Sequence, residues 1–333
     1  MTSKKSLMGA VLLGATFALA GNGFAASVKW DLSNDYQAGS LPGQADKVFA
    51  DTVGELTGGD IEVTLHMGGA LGYKSQDVFD AVRTGAVQIG DASTAFWGGI
   101  DPIFKLSSLP FLLADSSESR LLYEASRGAY EEVLAANNQI LLYTAPWPPS
   151  GIWAKKPVDS LEALNGLKIR SYDTNSTMTM AELQASPVQL AWGDVVPQLA
   201  ANGIEAVLTS AEGGVGVRFW EHLDHFTEIN YAMPLSMATL NKTEFDALSE
   251  EHKQAVMEAA KAAEDFAWAA LADRTKQNYS TMGENGVTIA SELSSEYVSA
   301  LIAGGQKARD GWVTEIGEGG QAIIDDFQKR AGR

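Results

Sequence analysis

Hydrophobic and polar positions alternate in short runs along this chain, and the period of each run predicts its local structure. Val28-Lys29-Trp30-Asp31-Leu32 predicts a strand, and Ile61-Glu62-Val63-Thr64-Leu65 alternates with period two, as half-buried strands do. Between them, Gln44 to Leu56 predicts a helix. Gly68-Gly69-Ala70-Leu71-Gly72 is a loop, after which Ser75 is placed to cap a helix running to Arg83 and stopped by Gly85. A short strand, Val87 to Gly90, then leads into Asp91-Ala92-Ser93-Thr94. The same unit returns later. Asp194-Val195-Val196-Pro197 opens a helix with an acidic cap and an early proline, Gly203 ends it, and Ile204 to Leu208 runs as a strand into Thr209-Ser210-Ala211. Two copies of helix, glycine, strand and small polar loop point to two similar α/β lobes.

Pro146-Trp147-Pro148-Pro149 is the strongest break in the pattern, a natural crossing between lobes. A second crossing is expected between Met233 and Thr239, with Ser236 inside it. Thr243 is then expected to cap a long helix, with Asp246 three residues on. Phe245, Leu248, His252, Val256, Ala260, Ala263, Ala267 and Leu271 recur along it at helical spacing. Such a helix, longer than about 30 residues, exceeds what an ordinary domain needs and would brace both lobes. Val287-Thr288-Ile289 suggests one more strand. The expected division puts 27–147 with about 236–276 in the first lobe, and 148–235 with about 277–333 in the second.

Composition narrows the function. The chain has 333 residues, no cysteine and 45% hydrophobic positions, so it can bury ample cores but holds no disulfide, thiol nucleophile or cysteine metal site. Residues 1–26 have the pattern of a signal peptide, with Lys4 and Lys5, an apolar run from Leu7 to Ala20, and small residues at Gly23-Phe24-Ala25-Ala26. The alternative, a membrane anchor, needs about 20 apolar residues. Removing Lys4 and Lys5 from the 24 basic residues leaves 22 against 42 acidic ones, a net charge of −20 for the mature chain. That balance disfavours nucleic acid and anionic membranes as partners. The expected product is periplasmic, soluble and monomeric.

Little in the chain signals catalysis. There is no Walker loop and no nucleophile elbow, and Gly213-Gly214-Val215-Gly216 lacks the context of a phosphate cradle. His222 and His225, three apart, could share a helical face and hold a metal, but no third ligand is signalled. No metal and no cofactor are expected. The informative stretch is Asn165-Gly166-Leu167-Lys168-Ile169-Arg170-Ser171-Tyr172-Asp173, where Arg170 falls at the end of an alternating strand. A guanidinium there can grip a ligand carboxylate through two parallel hydrogen bonds, or it can be a surface arginine. Phe96, Trp97, Trp147, Trp153 and Trp192 also lie beside strand ends, where aromatic rings line clefts or fill cores.

With these landmarks in order, the chain resembles the solute-binding proteins of tripartite ATP-independent periplasmic (TRAP) transporters, of the dicarboxylate-binding type. The motifs are Gly69-Ala70-Leu71-Gly72, Ser108-Leu109-Pro110-Phe111-Leu112, Lys156-Pro157-Val158 leading into Leu164 to Arg170, Pro187-Val188-Gln189-Leu190-Ala191-Trp192-Gly193-Asp194-Val195, and Asn202-Gly203-Ile204-Glu205-Ala206. The resemblance implies a two-lobed periplasmic-binding-protein fold of the type II kind, each lobe a mixed sheet flanked by helices. It implies capture of an organic anion between the lobes and delivery to the small and large membrane subunits of the transporter. Arg170 matches the arginine that pairs with the substrate carboxylate, and Trp192 the aromatic that packs on the ligand. Thr209 matches a position where many members carry asparagine. Ser93 and Thr94 match polar contacts of the first lobe, and Tyr36 or Gln37 a loop that reaches the cleft.

Two departures shape the ligand expected. Ser150 stands where sialic-acid binders carry a second arginine, and Leu208-Thr209-Ser210-Ala211 replaces the common Gln-Glu-Asn-Pro. One arginine surrounded by Trp97, Trp147, Tyr172 and Trp192, with Ser236 at the second crossing, suits a small-molecule monocarboxylate such as a 2-oxo or 2-hydroxy acid, with an aromatic body as an option. The rival readings are a sugar acid or dicarboxylate in the same fold, a binding protein for another importer or a sensor, and a periplasmic enzyme using Asp173 or Glu212 as base.

Overall fold

The strand-forming runs assemble into two separate sheets. A computed structural model describes residues 27–333, and the expected signal peptide lies outside them. Strands β1 (Val28–Asn34), β2 (Ile61–His66), β3 (Ile89–Ser93) and β4 (Gln139–Pro146) precede the first crossing. Strands β5 (Ser150–Ala154), β6 (Lys168–Ser171), β7 (Ser186–Gln189), β8 (Ala206–Ser210) and β9 (His225–Thr227) follow it. Strand β10 (Leu235–Asn241) returns to the first sheet and β11 (Thr288–Ala290) to the second. The orders are β2-β1-β3-β10-β4 and β11-β9-β5-β8-β6-β7. In the first sheet β10 runs antiparallel between β3 and β4, and in the second β5 runs antiparallel between β8 and β9. Alternation in β1 is realised as expected: Trp30 and Leu32 are buried while Lys29 and Asp31 face solvent.

The two crossing segments pair with each other. Trp147 N donates to Pro234 O at 2.9 Å, Ser150 N to Ala232 O at 2.8 Å and Tyr231 N to Ser150 O at 2.8 Å. The prolines at 146, 148 and 149 lack an N–H, so in this stretch only Trp147 and Ser150 donate to the narrow ladder.

Several local expectations shift. Ser75 is the first residue of its helix (Ser75–Thr84), not its cap, and its hydroxyl and N–H instead bond the Asp35 carboxylate at 2.7 and 3.1 Å. Gly85 ends that helix with a left-handed φ of 76°. Strand β8 begins and ends two residues later than read, so Thr209 and Ser210 belong to the strand and not to the loop. The long helix is interrupted: Asn241, not Thr243, caps a short helix Lys242–Asp246, and Ser249 caps the helix Glu250–Glu284. His222 sits in a turn and His225 in β9, bonded to Asp224 at 2.7 Å, so the two share no helical face. Among the described residues no group of three or more His, Cys, Asp or Glu could hold a metal.

The 35-residue helix Glu250–Glu284 is about 52 Å long at 1.5 Å per residue and reaches both lobes. Its first half lays Val256, Ala259, Ala260, Ala263 and Ala267 in the core under the first sheet, where small side chains let it approach the helix Leu41–Leu56 closely. Its second half meets the helix Ala211–Gly216 and β11 of the other lobe. The end of the chain departs from the division expected from sequence. Tyr297 and Leu301 are buried with the second lobe, but Trp312, Ile324 and Phe327 are buried in the core of the first. The last two helices (Ser295–Ile316 and Glu318–Arg330) therefore return to the first lobe, because their apolar stripe completes its outer core.

Two buried carboxylate arrangements support the cleft. Glu212, 2% exposed, accepts from Leu41 N at 3.0 Å in the first lobe, from Asn278 Nδ2 at 2.6 Å and from Arg274 at 2.6 and 2.8 Å. It ties both lobes to the long helix. Under the first sheet's end, Asn34 Nδ2 donates to Asp46 at 2.7 Å and Asp91 at 3.3 Å, Tyr143 Oη donates to Asp46 at 2.7 Å, and Asn34 Oδ1 accepts from Tyr36 N at 2.8 Å. Burial pushes Asp46 up to about 6, and burial together with the neighbouring Asp46 carboxylate pushes Asp91 well above the usual carboxylate range.

Arg274→Ala leaves Glu212 buried without its cation and is expected to cost about 3–5 kcal/mol of unfolding free energy, measured by denaturant titration; a loss within 0.5 kcal/mol, roughly that of an ordinary surface substitution, would contradict this account. Asp46 and Asp91 hold protons to higher pH in the fold than in the unfolded chain, so their favourable contribution is complete below about pH 4 and fades as pH rises, through about 6 for Asp46 and higher still for Asp91. The thermal midpoint is expected to fall between about pH 5 and pH 8, and Asp91→Asn to flatten that slope; equal slopes in both proteins would refute the assignment.

Candidate functional site

The carboxyl ends of the parallel strands of both sheets face one cleft, the usual ligand position in open α/β folds. Ser93 comes from the end of β3 and Tyr36 from the turn after β1; Arg170, Tyr172, Thr209 and Ser210 come from the ends of β6 and β8. Trp192 follows β7 at the start of a 3-10 turn, Trp192–Asp194.

Arg170 is the centre of this site. Ile169 points into the second lobe's core, and alternation turns Arg170 to the other face, where it is only 2% exposed. Its Nε donates to Leu190 O at 3.1 Å and one Nη to Leu208 O at 3.2 Å. Its guanidinium carbon lies 5.6 Å from both the Tyr172 and the Trp192 ring centroids, within cation–π range. Two carbonyls use two of the five guanidinium N–H groups, leaving three for a ligand. No carboxylate forms an ion pair with it among the described residues. Burial pulls its pKa down to about 10, a shift opposed by Tyr36, Tyr172, Asp173 and Asp35, so the side chain stays charged at neutral pH.

Around this cation is an aromatic box. The Tyr36 ring is 4.7 Å from Trp147 and 6.1 Å from Trp192, and Trp147 donates its indole N–H to Ser236 Oγ at 3.3 Å. The cavity spans about 410 Å³ and opens in part to solvent. Among the twelve residues lining it, Arg170 is the only charged one.

Of the residues read from sequence, Tyr36, Ser93, Trp147, Ser150, Arg170, Tyr172, Trp192 and Thr209 line this cavity together. Four do not. Trp97 is fully buried in the first lobe's core against Phe79 and Phe104, and its indole N–H bonds Ser75 O at 3.0 Å. Thr94 turns inward to Ser107 Oγ at 3.0 Å. Ser236 sits behind Trp147 and orients its indole. Gln37 is half-buried outside the lining, near Gly216. Ser210, Gly213 and Pro234 line the cavity without being singled out from sequence, and Phe96, read there only as an aromatic that lines a cleft or fills a core, lines it too. Gly213 carries a signal in the glycine cluster Gly213-Gly214-Val215-Gly216, which does not form a phosphate cradle. A Cβ there would lie 2.7 Å from Thr209 Oγ1 and 3.2 Å from Trp192 Cη2, so only glycine lets the indole close over the strand end.

The carboxylates considered as catalytic bases are engaged elsewhere. Asp173 caps the helix Thr174–Glu182, accepting from Ser176 N at 2.7 Å and from the Ser108 hydroxyl. Glu212 is held by Arg274, Asn278 and Leu41 as described.

Known structures share this architecture. An extracytoplasmic solute receptor of Bordetella pertussis that binds pyroglutamic acid is 29% identical, with a TM-score of 0.87 over 91% of this chain and all of that one. A marine metagenome TRAP solute-binding protein specific for pyroglutamate is 30% identical, with a TM-score of 0.87 over 92% of this chain and all of that one. Among curated proteins, the 2,3-diketo-L-gulonate-binding periplasmic protein of Escherichia coli K12 is 25% identical over 295 residues, 85% of this chain and 87% of that protein. The model of bacterial extracellular solute-binding protein family 7 matches residues 32–307, and with the two-lobed fold around a buried arginine this chain belongs to that family of TRAP solute-binding proteins.

Proposed function

We propose that this protein captures a compact monocarboxylate with an uncharged body between its two lobes. The observation that carries the reading is Arg170: a buried cation with three spare N–H groups and no protein carboxylate, in a cavity otherwise lined by aromatic rings, hydroxyls and small residues. One carboxylate neutralises it and accepts two parallel hydrogen bonds. A second carboxylate would find no cation among the lining residues, and an ammonium would face Arg170 with no anion of its own. Both would be stranded without a partner. A lactam acid such as pyroglutamate meets every requirement, and the pyroglutamate binders among similar structures support that choice.

Binding needs no covalent step. Tyr36, Ser93 and Phe96 reach the cavity from the first lobe, and Arg170, Trp192 and Thr209 from the second. Contacts to both lobes exist only when the cleft is shut, so the ligand shifts the population toward closure. In this reading residues 1–26 direct export, the mature chain works in the periplasm, and the small and large membrane subunits of a TRAP transporter accept its closed form. Catalysis plays no part, since Asp173 and Glu212 are committed to structural bonds.

Arg170→Ala is expected to weaken ligand binding by about 2–5 kcal/mol with an unchanged circular dichroism spectrum, because the carboxylate loses its partner in a desolvated site. Unaltered affinity by calorimetry would remove Arg170 from the site. For wild-type protein, titration with pyroglutamate, proline and succinate tests the class: pyroglutamate should bind, with proline and succinate weaker by at least about 3 kcal/mol. Tighter binding of either competitor would sink the proposal.

A further inference from the structure

Phe96 stands between two chambers of different character. On one side is the ligand cavity of about 410 Å³, lined mainly by aromatic rings and hydroxyls. On the other is a larger chamber between the lobes, about 920 Å³ and partly open to solvent, lined by polar side chains that include Gln76, Lys105, Asn175 and Gln189. Phe96 and Tyr172 line both. Tyr172 is tied to the site, its ring flanking the Arg170 guanidinium at 5.6 Å and meeting Tyr231 at 6.2 Å. Phe96 belongs to the other lobe. It sits in the 3-10 turn Thr94–Trp97, which is anchored at both ends by Thr94 bonding Ser107 and Trp97 bonding Ser75 O, each at 3.0 Å. Its ring is half-buried and packs against the cores of both lobes. A fixed turn thus holds one aromatic ring across the join between the chambers.

We propose that Phe96 is the specificity-determining partition of the site, limiting the ligand to a compact acid and keeping extended polar tails out of the second chamber. This rests on the reading of the first cavity as a monocarboxylate site. The tail excluded is of one class. Lys105 is already paired with Glu315 at 2.6 Å, and the Asp173 carboxylate also lines the second chamber, so a second anionic group has no free cation there. Gln76 and Gln189 offer amides and Asn175, whose Nδ2 donates to Lys105 O and Ser108 Oγ, its amide oxygen; these match hydroxyls. The partition therefore acts against polyhydroxy monocarboxylates. Replacing the ring with a methyl group would join the two chambers while leaving Arg170 and its aromatic flanks in place.

Calorimetry with pyroglutamate and gluconate on wild type, Phe96→Ala and Phe96→Leu tests the partition. Wild type should favour pyroglutamate, and Phe96→Ala should bind gluconate at least about tenfold more tightly than wild type does, with a smaller gain in Phe96→Leu. Wild-type protein that binds gluconate as tightly as pyroglutamate overturns the inference. So do folded variants that keep pyroglutamate binding and gain nothing for gluconate, and in that case the monocarboxylate reading stands. Should Phe96→Ala fail to fold, Phe96→Leu decides on the same criterion. Wild-type protein that binds neither acid overturns the reading of the cavity, and the partition with it.

Discussion

A positive charge held in the interior without a carboxylate bonded to it is costly, and Arg170 is held in that condition. Leu190 and Leu208 supply backbone carbonyls and Tyr172 and Trp192 supply ring faces, so the side chain is fixed in direction but not neutralised. The rest of the site follows from this. The strand end must leave its carbonyls free to accept, Gly213 must lack a side chain so that Trp192 can close, and both lobes must exclude water. A net charge of −18 on the whole chain repels anions at long range, and salt screens that repulsion beyond roughly 10 Å. In the function proposed, recognition therefore depends on one cation at contact distance.

Much of the fold was legible because it depends on local periodicity and punctuation. Period-two runs gave β1 and β2, Gly85 marked a helix end, and the proline cluster after β4 marked the first crossing. What failed depended on competition between neighbours. Ser75 looked like a cap, but the Asp35 carboxylate, forty residues away, claims its hydroxyl. Thr243 looked like the start of the long helix, but Asn241 accepts from both Thr243 N and Glu244 N, and Ser249 starts the helix again. The return of the last helices to the first lobe is a tertiary choice that no window of sequence contains.

The site divides in the same way. Arg170 was found because it ends an alternating strand within a recognisable motif, and most rings and hydroxyls around it come from other strand ends. Two of the four misplaced residues, Thr94 and Trp97, lie in one turn. Phe96 and Trp97 are adjacent aromatics, and a 3-10 turn points them in different directions, Trp97 into the core and Phe96 toward the cleft. A one-residue difference of this kind is set by the pitch of the turn, and composition carries no trace of it.

The way the chain weaves between sheets bears on how the protein is made. The first sheet needs β10, which follows the whole strand set β5 to β9 of the second, and the first core is sealed by Ile324 and Phe327 near the end of the chain. Neither lobe is a contiguous segment, so neither can close while the chain emerges N-terminus first. The first four strands must wait, with their apolar faces open, until nearly all 333 residues are available. Long-range pairing of this sort slows folding and exposes sticky intermediates. It also joins the fate of the lobes, since loss of the last helix would uncover the first lobe while leaving its own strands untouched. Two lobes with separate sheets are thus bound to form, and to fail, as one unit.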